Sequence, residues 1–330
     1  MKLATIGSGM IVNLFLDAVS KVDGISCEAV YSRSQENAND LAKKFNVDKT
    51  YTSLNEMFND PDIDVIYVAS PNSLHFEQSK QALLANKHVI CEKPLTSTVE
   101  ELDELLKIAK GRKLFFLEAI MTIHLPNFHA LVKEIENIGE IKMVYANFLQ
   151  YSSKMNSFKK GEVPNVFNPK FSGGALMDLN VYNLHFVIGL FGVPNHATYH
   201  PVKAYNGIDV SGVVVLEYPS FNAVCSGAKN VQAKNNALIY GEQKTLTITG
   251  ETSIIPSIEI LEAEDKHYIN DQNQENRMVY EVKDFLRIIN ENDFDAMNRL
   301  NKHSKSVYEV LHKIRKEAEI IFEADKGYNQ

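Results

Sequence analysis

Several short stretches of this 330-residue chain hold residue types that can do chemistry together. Gly7-Ser8-Gly9-Met10-Ile11 follows a strand-like run and opens a helix-period segment. Glycines there permit a tight turn and close backbone approach, and a helix N-terminus offers free N–H groups and partial positive charge, so this stretch can cradle a pyrophosphate. Val12 stands where the full G-x-G-x-x-G fingerprint has its third Gly or Ala. Farther on, where a dinucleotide-binding unit usually sets an acid on the ribose hydroxyls, the tip reads Tyr31-Ser32-Arg33-Ser34. No carboxylate is present to repel a 2′-phosphate, while a guanidinium and two hydroxyls can hold one, so NADP is expected in preference to NAD. The plain alternative is a solvated Arg33.

Two further stretches follow strand-like runs: Ala69-Ser70-Pro71-Asn72-Ser73-Leu74-His75 and Cys91-Glu92-Lys93-Pro94-Leu95. Open α/β sheets bind ligands beyond the carboxyl ends of their strands, which is where both fall. A lysine there, desolvated by a nicotinamide and a substrate, can lose enough proton affinity to act as an acid/base near neutrality. Asp178 and Tyr182 are four apart on an expected helix, and His185 lies three further on, so the three share a stripe. Taken singly, Asp178 can bind backbone groups, Tyr182 can be half-buried packing, and His185 can be a satisfied core histidine.

The elements that must position these groups follow from periodicity. From Lys2 to Glu118, short β-branched runs alternate with helix-period segments, the grammar of stacked βαβ units. Strands are expected at 3–6, 26–31, 65–69, 88–91 and 114–117, with Ser-x-x-Glu capping boxes at Ser53/Glu56 and Ser97/Glu100. After residue 123 the pattern changes: helices at 127–137 and 175–191, strands at 141–150, 210–218, 222–226, 237–240, 245–249 and 257–261, then helices at 279–290 and 304–322. The fold class is α/β: an N-terminal Rossmann domain with a doubly wound parallel sheet (1–123), and a C-terminal α+β domain (124–330) with a large, open, mostly antiparallel sheet. The uncovered face of that second sheet suits a homodimer or higher homo-oligomer.

Composition excludes other classes. At roughly 150 residues per domain the length allows two domains, and 45% hydrophobic with 23% charged residues is a globular composition. With 34 Lys and Arg against 42 Asp and Glu, the net charge of −8 disfavours nucleic acid and anionic membranes as partners. The stretch Leu179 to Val202 has too many Asn and His residues for a membrane span. Three dispersed cysteines, Cys27, Cys91 and Cys225, fit a reducing cytoplasm better than a disulfide framework. The ten histidines show no metal-binding spacing, so no metal is expected.

Over essentially its full length the chain resembles the glucose-fructose oxidoreductase, inositol dehydrogenase and rhizopine-catabolism (Gfo/Idh/MocA) family. The Glu92-Lys93-Pro94 element carries the resemblance most specifically, together with the block from Gly173 to Tyr182. The resemblance implies a nicotinamide cofactor held by Gly7 to Ile11, Ser32 to Ser34, Ser70 to Asn72, His75, Glu92 and Lys93, and a cis Lys93–Pro94 bond. It also implies Lys93 as acid/base, Tyr182 as proton donor or relay where some members have His, and Asp178 as a group orienting Lys93 or binding a substrate hydroxyl, the two meeting the lysine across an interdomain cleft. The dihydrodiol-dehydrogenase-like subgroup usually has Trp at Met121, Arg at Ile123 and at Asn165, and Gly and Pro at Asn180 and Asn183. With those arginines missing, Asn165 and His185 remain as substrate-side candidates and no anionic substrate is indicated. The implied activity is hydride transfer between nicotinamide and a hydroxyl or carbonyl carbon of a sugar, polyol or diol. A non-catalytic dinucleotide sensor on the same fold is the alternative, and a reductase of tetrapyrroles or imines is a third reading.

Overall fold

The computed structural model describes residues 1–327. The chain forms two compact units: Met1–Ala119 with Gln274–Lys302, and Ile120–Asn273 with the chain from His303 onward.

The first unit runs β1 (Lys2–Ile6), α1 (Met10–Val19), β2 (Ser26–Tyr31), α2 (Gln35–Phe45), β3 (Lys49–Tyr51), α3 (Leu54–Phe58), β4 (Val65–Val68), α4 (His75–Leu84), β5 (His88–Glu92), α5 (Val99–Arg112) and β6 (Phe116–Ala119). The six strands pair in parallel in the order β3-β2-β1-β4-β5-β6. Strand order reverses between β1 and β4, the switch point at which doubly wound sheets hold ligands. β4 is buried at every position, as a strand covered on both faces must be. The capping box expected at Ser97/Glu100 lies one residue later. Thr98, with extended backbone at φ −140°, accepts the Glu101 N–H at 3.3 Å, and the Glu101 carboxylate accepts from Ser97 and Thr98 N–H at 2.8 and 3.2 Å. At Ser53 the hydroxyl accepts the Glu56 N–H at 3.3 Å, the first half of the expected box.

The second unit contains α6 (Pro126–Ile135), β7 (Ile141–Leu149), α7 (Met155–Lys159), a π-helical turn (Leu176–Asn180), α8 (Val181–Phe191), β8 (His196–Lys203), β9 (Asp209–Glu217), β10 (Asn222–Ala228), β11 (Asn236–Gly241), β12 (Lys244–Thr249), β13 (Ile258–Glu262) and β14 (Asp265–Ile269). Its eight strands lie in the order β14-β13-β12-β11-β7-β10-β9-β8, antiparallel except for the β7–β10 pair. β8 and β14 escape the sequence reading because they are edge strands, one carrying two His and a Pro, the other mostly exposed and polar. Alternation puts Val144, Ala146, Cys225, Val214 and Ile239 on the covered face, against which α8 packs. Asn180 and Asn183 are fully buried and tie the helix to β10: Asn180 donates to the Cys225 carbonyl at 3.1 Å and Asn183 to the Ser226 carbonyl at 3.2 Å. Two amides thus serve where the subgroup has Gly and Pro. The segment Pro169–Phe191 is apolar and long enough by composition to cross a membrane, but most of it is buried inside this unit.

The chain closes with α9 (Met278–Asn290) and α10 (Phe294–Glu317). The expected boundary at 123/124 therefore differs in two ways. It falls at 119/120, and residues 274–302 return to the first unit. The reason is amphipathic packing: α9 buries Met278, Val279, Val282, Phe285, Ile288 and Ile289 and packs beside α1. α10 begins ten residues before the expected Ser304, since Asp293 Oδ1 accepts the Ala296 N–H at 2.9 Å and starts the helix there.

Candidate functional site

Three loops at the carboxyl ends of the first sheet carry most of the candidates. Gly7 sits at φ +116°, and a Cβ on it would lie 2.5 Å from the Ala69 carbonyl oxygen, so only glycine lets the turn after β1 pass the end of β4. Gly9 is the N-cap of α1; it supplies no side-chain cap, and no acid occupies the first turn. The first N–H groups of α1 are therefore left for a ligand's oxygens. Val12 is fully buried and points into the core, which is why a third small residue is dispensable. Met10 is 81% exposed over the same turn.

At the tip of β2, Ser32 Oγ accepts the Ser34 N–H at 3.3 Å, and Ser34 caps α2 by accepting the Asn37 N–H at 3.4 Å. Arg33 is exposed, and among the described residues its side chain has no hydrogen-bond or ion-pair partner. A groove of about 310 Å³ lined by Ser8, Asn13, Asn37, Asp40, Leu41 and Lys44 runs from the glycine turn along α1 and α2. Free helix N–H groups, an unpaired cation and no carboxylate at the tip fit a phosphorylated dinucleotide.

The segments after β4 and β5 are clamped to each other. Ser70 Oγ donates to Gln78 Oε1 at 2.6 Å. The buried His75 ring lies between two carbonyls, Nδ1 2.8 Å from Pro94 O and Nε2 2.8 Å from Ser70 O. Burial lowers its proton affinity, and the Lys93 charge adds to that. A neutral ring donates from one nitrogen, so His75 is a tie between the loops and not the ligand-facing group that the sequence reading assigned. Pro71 and Asn72 are half-buried at the start of the short turn Asn72–Leu74. The Lys93–Pro94 bond is cis, as the resemblance implied, and Lys93 is half-buried. Glu92 is 6% exposed, accepts the Tyr67 hydroxyl at 2.5 Å, and is pushed up to about 7 chiefly by burial. It too faces inward.

The second unit builds its candidates around Asp209. That buried carboxylate accepts the Leu176 N–H at 2.6 Å and the Tyr199 hydroxyl at 2.7 Å, and burial pushes its pKa up. Gly174, at φ +108°, sits where any Cβ would fall on Asp209 Oδ1. The anchored chain then enters the π turn that carries Asp178, a distortion common at functional sites. Asp178 pairs with Lys229, which is 3% exposed and 5.6 Å from the centre of the Phe167 ring. Tyr182 is half-buried, its ring 5.6 Å from that of Phe148.

His185 does not join this group. It is fully buried, with Nδ1 3.0 Å from His303 Nε2 and the Tyr308 ring nearby. α8 is apolar around most of its circumference, so His185 lies in the core and not, as the sequence suggests, on the substrate side. Asn165 is exposed at the start of the turn Asn165–Phe167.

Lys229 and Asp209 were missed by sequence reading because each is a single polar residue at a strand end with no motif around it. Removing the Lys229 amine leaves Asp178 without its cation. Since Asp178 keeps 30% side-chain exposure, water recovers part of the loss, and Lys229→Met is expected to cost about 1–3 kcal/mol of stability. Thermal unfolding checks this, with Lys229→Arg recovering most of it; equal stability of the Met variant would disprove the pairing. Among the described residues no cluster of His, Cys, Asp or Glu is arranged to hold a metal ion.

Comparison with known proteins identifies the family of the chain. Residues 1–119 match a family described as an oxidoreductase family with an NAD-binding Rossmann fold, and 130–253 match its GFO/IDH/MocA C-terminal domain. The scyllo-inositol 2-dehydrogenase (NADP(+)) IolU of Bacillus subtilis is 33% identical over 329 residues, 99% of this chain and 100% of that protein. The trans-1,2-dihydrobenzene-1,2-diol dehydrogenase of Danio rerio is 24% identical, covering 90% of each chain. Among solved structures, KijD10, a 3-ketoreductase from Actinomadura kijaniata in complex with NADP and TDP-benzene, superposes with a TM-score of 0.82 at 20% identity, covering 96% of this chain and 97% of that one.

Proposed function

The chain belongs to the GFO/IDH/MocA oxidoreductase family, and from that premise we propose that it is an NADP-preferring dehydrogenase or reductase of a polyol, sugar or related diol. The observation that carries the reading is the set of loops at the β1, β2 and β5 ends: an uncapped helix N-terminus, an acid-free tip with an unpaired Arg33, and Lys93. The names of the Bacillus and Danio relatives support the substrate class, one an inositol and the other a dihydrobenzene diol. The bound nicotinamide supplies or takes the hydride.

Lys93 gives a proton to the substrate oxygen in reduction and takes it in oxidation. Tyr182 donates or relays that proton, and Asp178, held by Lys229, accepts hydrogen bonds from substrate hydroxyls. A dinucleotide sensor has no use for this set of proton-handling groups. The test is turnover of polyols, sugars and diols with each cofactor, followed by the absorbance of reduced nicotinamide; absence of turnover with all of them would overturn the reading.

The outer face of the second sheet leaves Met143 41%, Tyr145 38% and Val213 36% exposed. A second copy of the chain is the occupant proposed for that face, and light scattering at micromolar concentration is expected to give the mass of a dimer or larger assembly. A monomeric mass would refute it. A reducing, cytoplasmic location is supported by the three cysteines, all free.

A further inference from the structure

The substrate-side carboxylate of the second unit sits on a turn that has no cap of its own. The π turn Leu176–Asn180 is preceded by Ala175, which offers no side-chain cap, so the Leu176 N–H has no acceptor from that residue. Asp209, 33 residues further along the chain, supplies one: its Oδ2 accepts the Leu176 N–H at 2.6 Å. A carboxylate at the N-terminus of a helical segment also meets the positive end of its dipole. The contact is buried, with Asp209 0% and Leu176 1% exposed.

The same oxygen takes a second donor. The Tyr199 hydroxyl of β8 reaches it at 2.7 Å. Tyr199 pairs with Val214 of β9, yet its ring runs back over Gly212, where a Cβ would overlap the hydroxyl end of the ring. Gly174 makes the matching space on the other side, since a Cβ there would overlap Asp209 Oδ1. Two glycines on separate segments thus clear room for one carboxylate and its tyrosine. None of the proton-transfer or substrate roles described above uses either side chain.

Both members of the Asp178–Lys229 pair are tied to this point of β9. The Gly174 N–H donates to the Val166 carbonyl at 3.0 Å, and the Gly174 carbonyl accepts the Asp178 N–H at 3.2 Å. On the other side, the carbonyl of Val210, next along β9, accepts the Lys229 N–H at 2.8 Å. Asp209 and Val210 therefore hold, as neighbours, the turn that carries the carboxylate and the backbone that carries its cation. The π turn makes this matter, because its i→i+5 closure shifts Asp178 out of the register that an unbroken α-helix would give it relative to Tyr182. Relaxation to plain α-helix would change where Asp178 stands relative to Lys229 and Tyr182.

We infer that Asp209, aligned by Tyr199, is a positioning residue for the proposed reaction: by holding the Leu176 N–H it keeps the π turn wound, and so sets Asp178 to accept hydrogen bonds from substrate hydroxyls. The inference rests on the reading of Asp178 as that acceptor. No bond to substrate forms or breaks at Asp209, and no proton passes from it to the reacting groups. Its effect is on substrate affinity and orientation. Cofactor affinity is left alone, because the glycine turn and the β2 tip belong to the first unit.

The first arm of the experiment needs no turnover. Hydrogen exchange of the backbone over residues 174–180 is compared in the unmodified protein, Asp209→Ala and Asp209→Asn. Asp209→Ala removes the acceptor and is expected to speed exchange there by roughly tenfold or more, while Asp209→Asn, whose amide oxygen can accept both donors, keeps most of the protection. Unchanged exchange in Asp209→Ala would overturn the proposal. Tyr199→Phe keeps the ring over Gly212 and loses only the O–H; it is expected to give a smaller change in the same direction, and replaces the alanine variant in both arms if that protein does not fold.

The second arm is a double-mutant cycle on steady-state kinetics with polyol substrates. Asp209→Ala is expected to raise the substrate KM by roughly tenfold, with kcat changed less and NADP affinity unchanged, and Asp209→Asn to restore most of it. In an Asp178→Asn background the same alanine substitution is expected to raise KM by less than about twofold, because the group it positions is already altered. Equal effects in the two backgrounds would show that Asp209 acts without Asp178 and overturn the proposal. Absence of turnover in the unmodified protein would instead count against the proposed function, while the exchange arm still decides whether Asp209 holds the turn.

Discussion

Replacing Lys93 with methionine is expected to cut turnover by roughly two to four orders of magnitude, the loss that follows removal of a positioned acid/base. Methionine keeps the length and apolar stem but has no proton to give. The turn that carries residue 93 is held by other groups: the His75 ring between Ser70 and Pro94 carbonyls, and Glu92 through Tyr67. Dinucleotide affinity is therefore expected to stay within several-fold, since the glycine turn and the β2 tip are untouched. Tyr182→Phe makes the contrast. Its ring keeps its packing beside Phe148, so a smaller loss with an altered pH profile is expected, from the missing phenolic proton alone. Steady-state kinetics across pH, with cofactor titration by fluorescence, measures both. Near-normal turnover in Lys93→Met would remove Lys93 from the mechanism.

What the sequence disclosed depended on how locally each feature is encoded. β1, β2, β4 and β5 are apolar runs followed by loops of distinct composition, so their ends, and with them the glycine turn and Lys93, were legible within a residue or two. Gly7 was legible for the same reason, because the φ +116° turn demands a residue type that stands out. His75 and Glu92 were found as motif members but with the wrong orientation. Motif position says which loop a residue occupies, whereas inward or outward facing depends on partners distant in sequence, Pro94 for one and Tyr67 for the other.

Lys229 carries no local signal at all. It gains meaning from Asp178, 51 residues away. The return of residues 274–302 to the first unit was hidden in the same way: the period of α9 announces an apolar face but not which sheet or helix receives it. The π turn at Leu176–Asn180 was read as ordinary helix because its apolar spacing is compatible with both, and the geometry is decided by the Asp209 anchor.

Arg33→Ala is expected to weaken NADP by roughly ten- to a hundredfold while leaving NAD almost unchanged, since a charge-assisted hydrogen bond to phosphate contributes about 1.5–3 kcal/mol. The structural basis is specific. Arg33 is exposed and unpaired among the described residues, so no intramolecular ion pair has to break before it meets a phosphate. The two neighbouring hydroxyls are already committed as acceptors of backbone N–H groups, Ser32 from Ser34 and Ser34 from Asn37. Each hydroxyl keeps its hydrogen to donate. Adding Ser32→Asp tests the converse. A carboxylate at residue 32 can still accept the Ser34 N–H, so the turn survives, but it repels a 2′-phosphate and accepts from free ribose hydroxyls; the double variant is expected to prefer NAD. Dissociation constants for both cofactors, titrated at one ionic strength because the phosphate contact is screened by salt, decide the matter. If Arg33→Ala weakens both cofactors alike, or if the unmodified protein binds them equally, the guanidinium faces solvent and the preference for NADP has no source at the β2 tip.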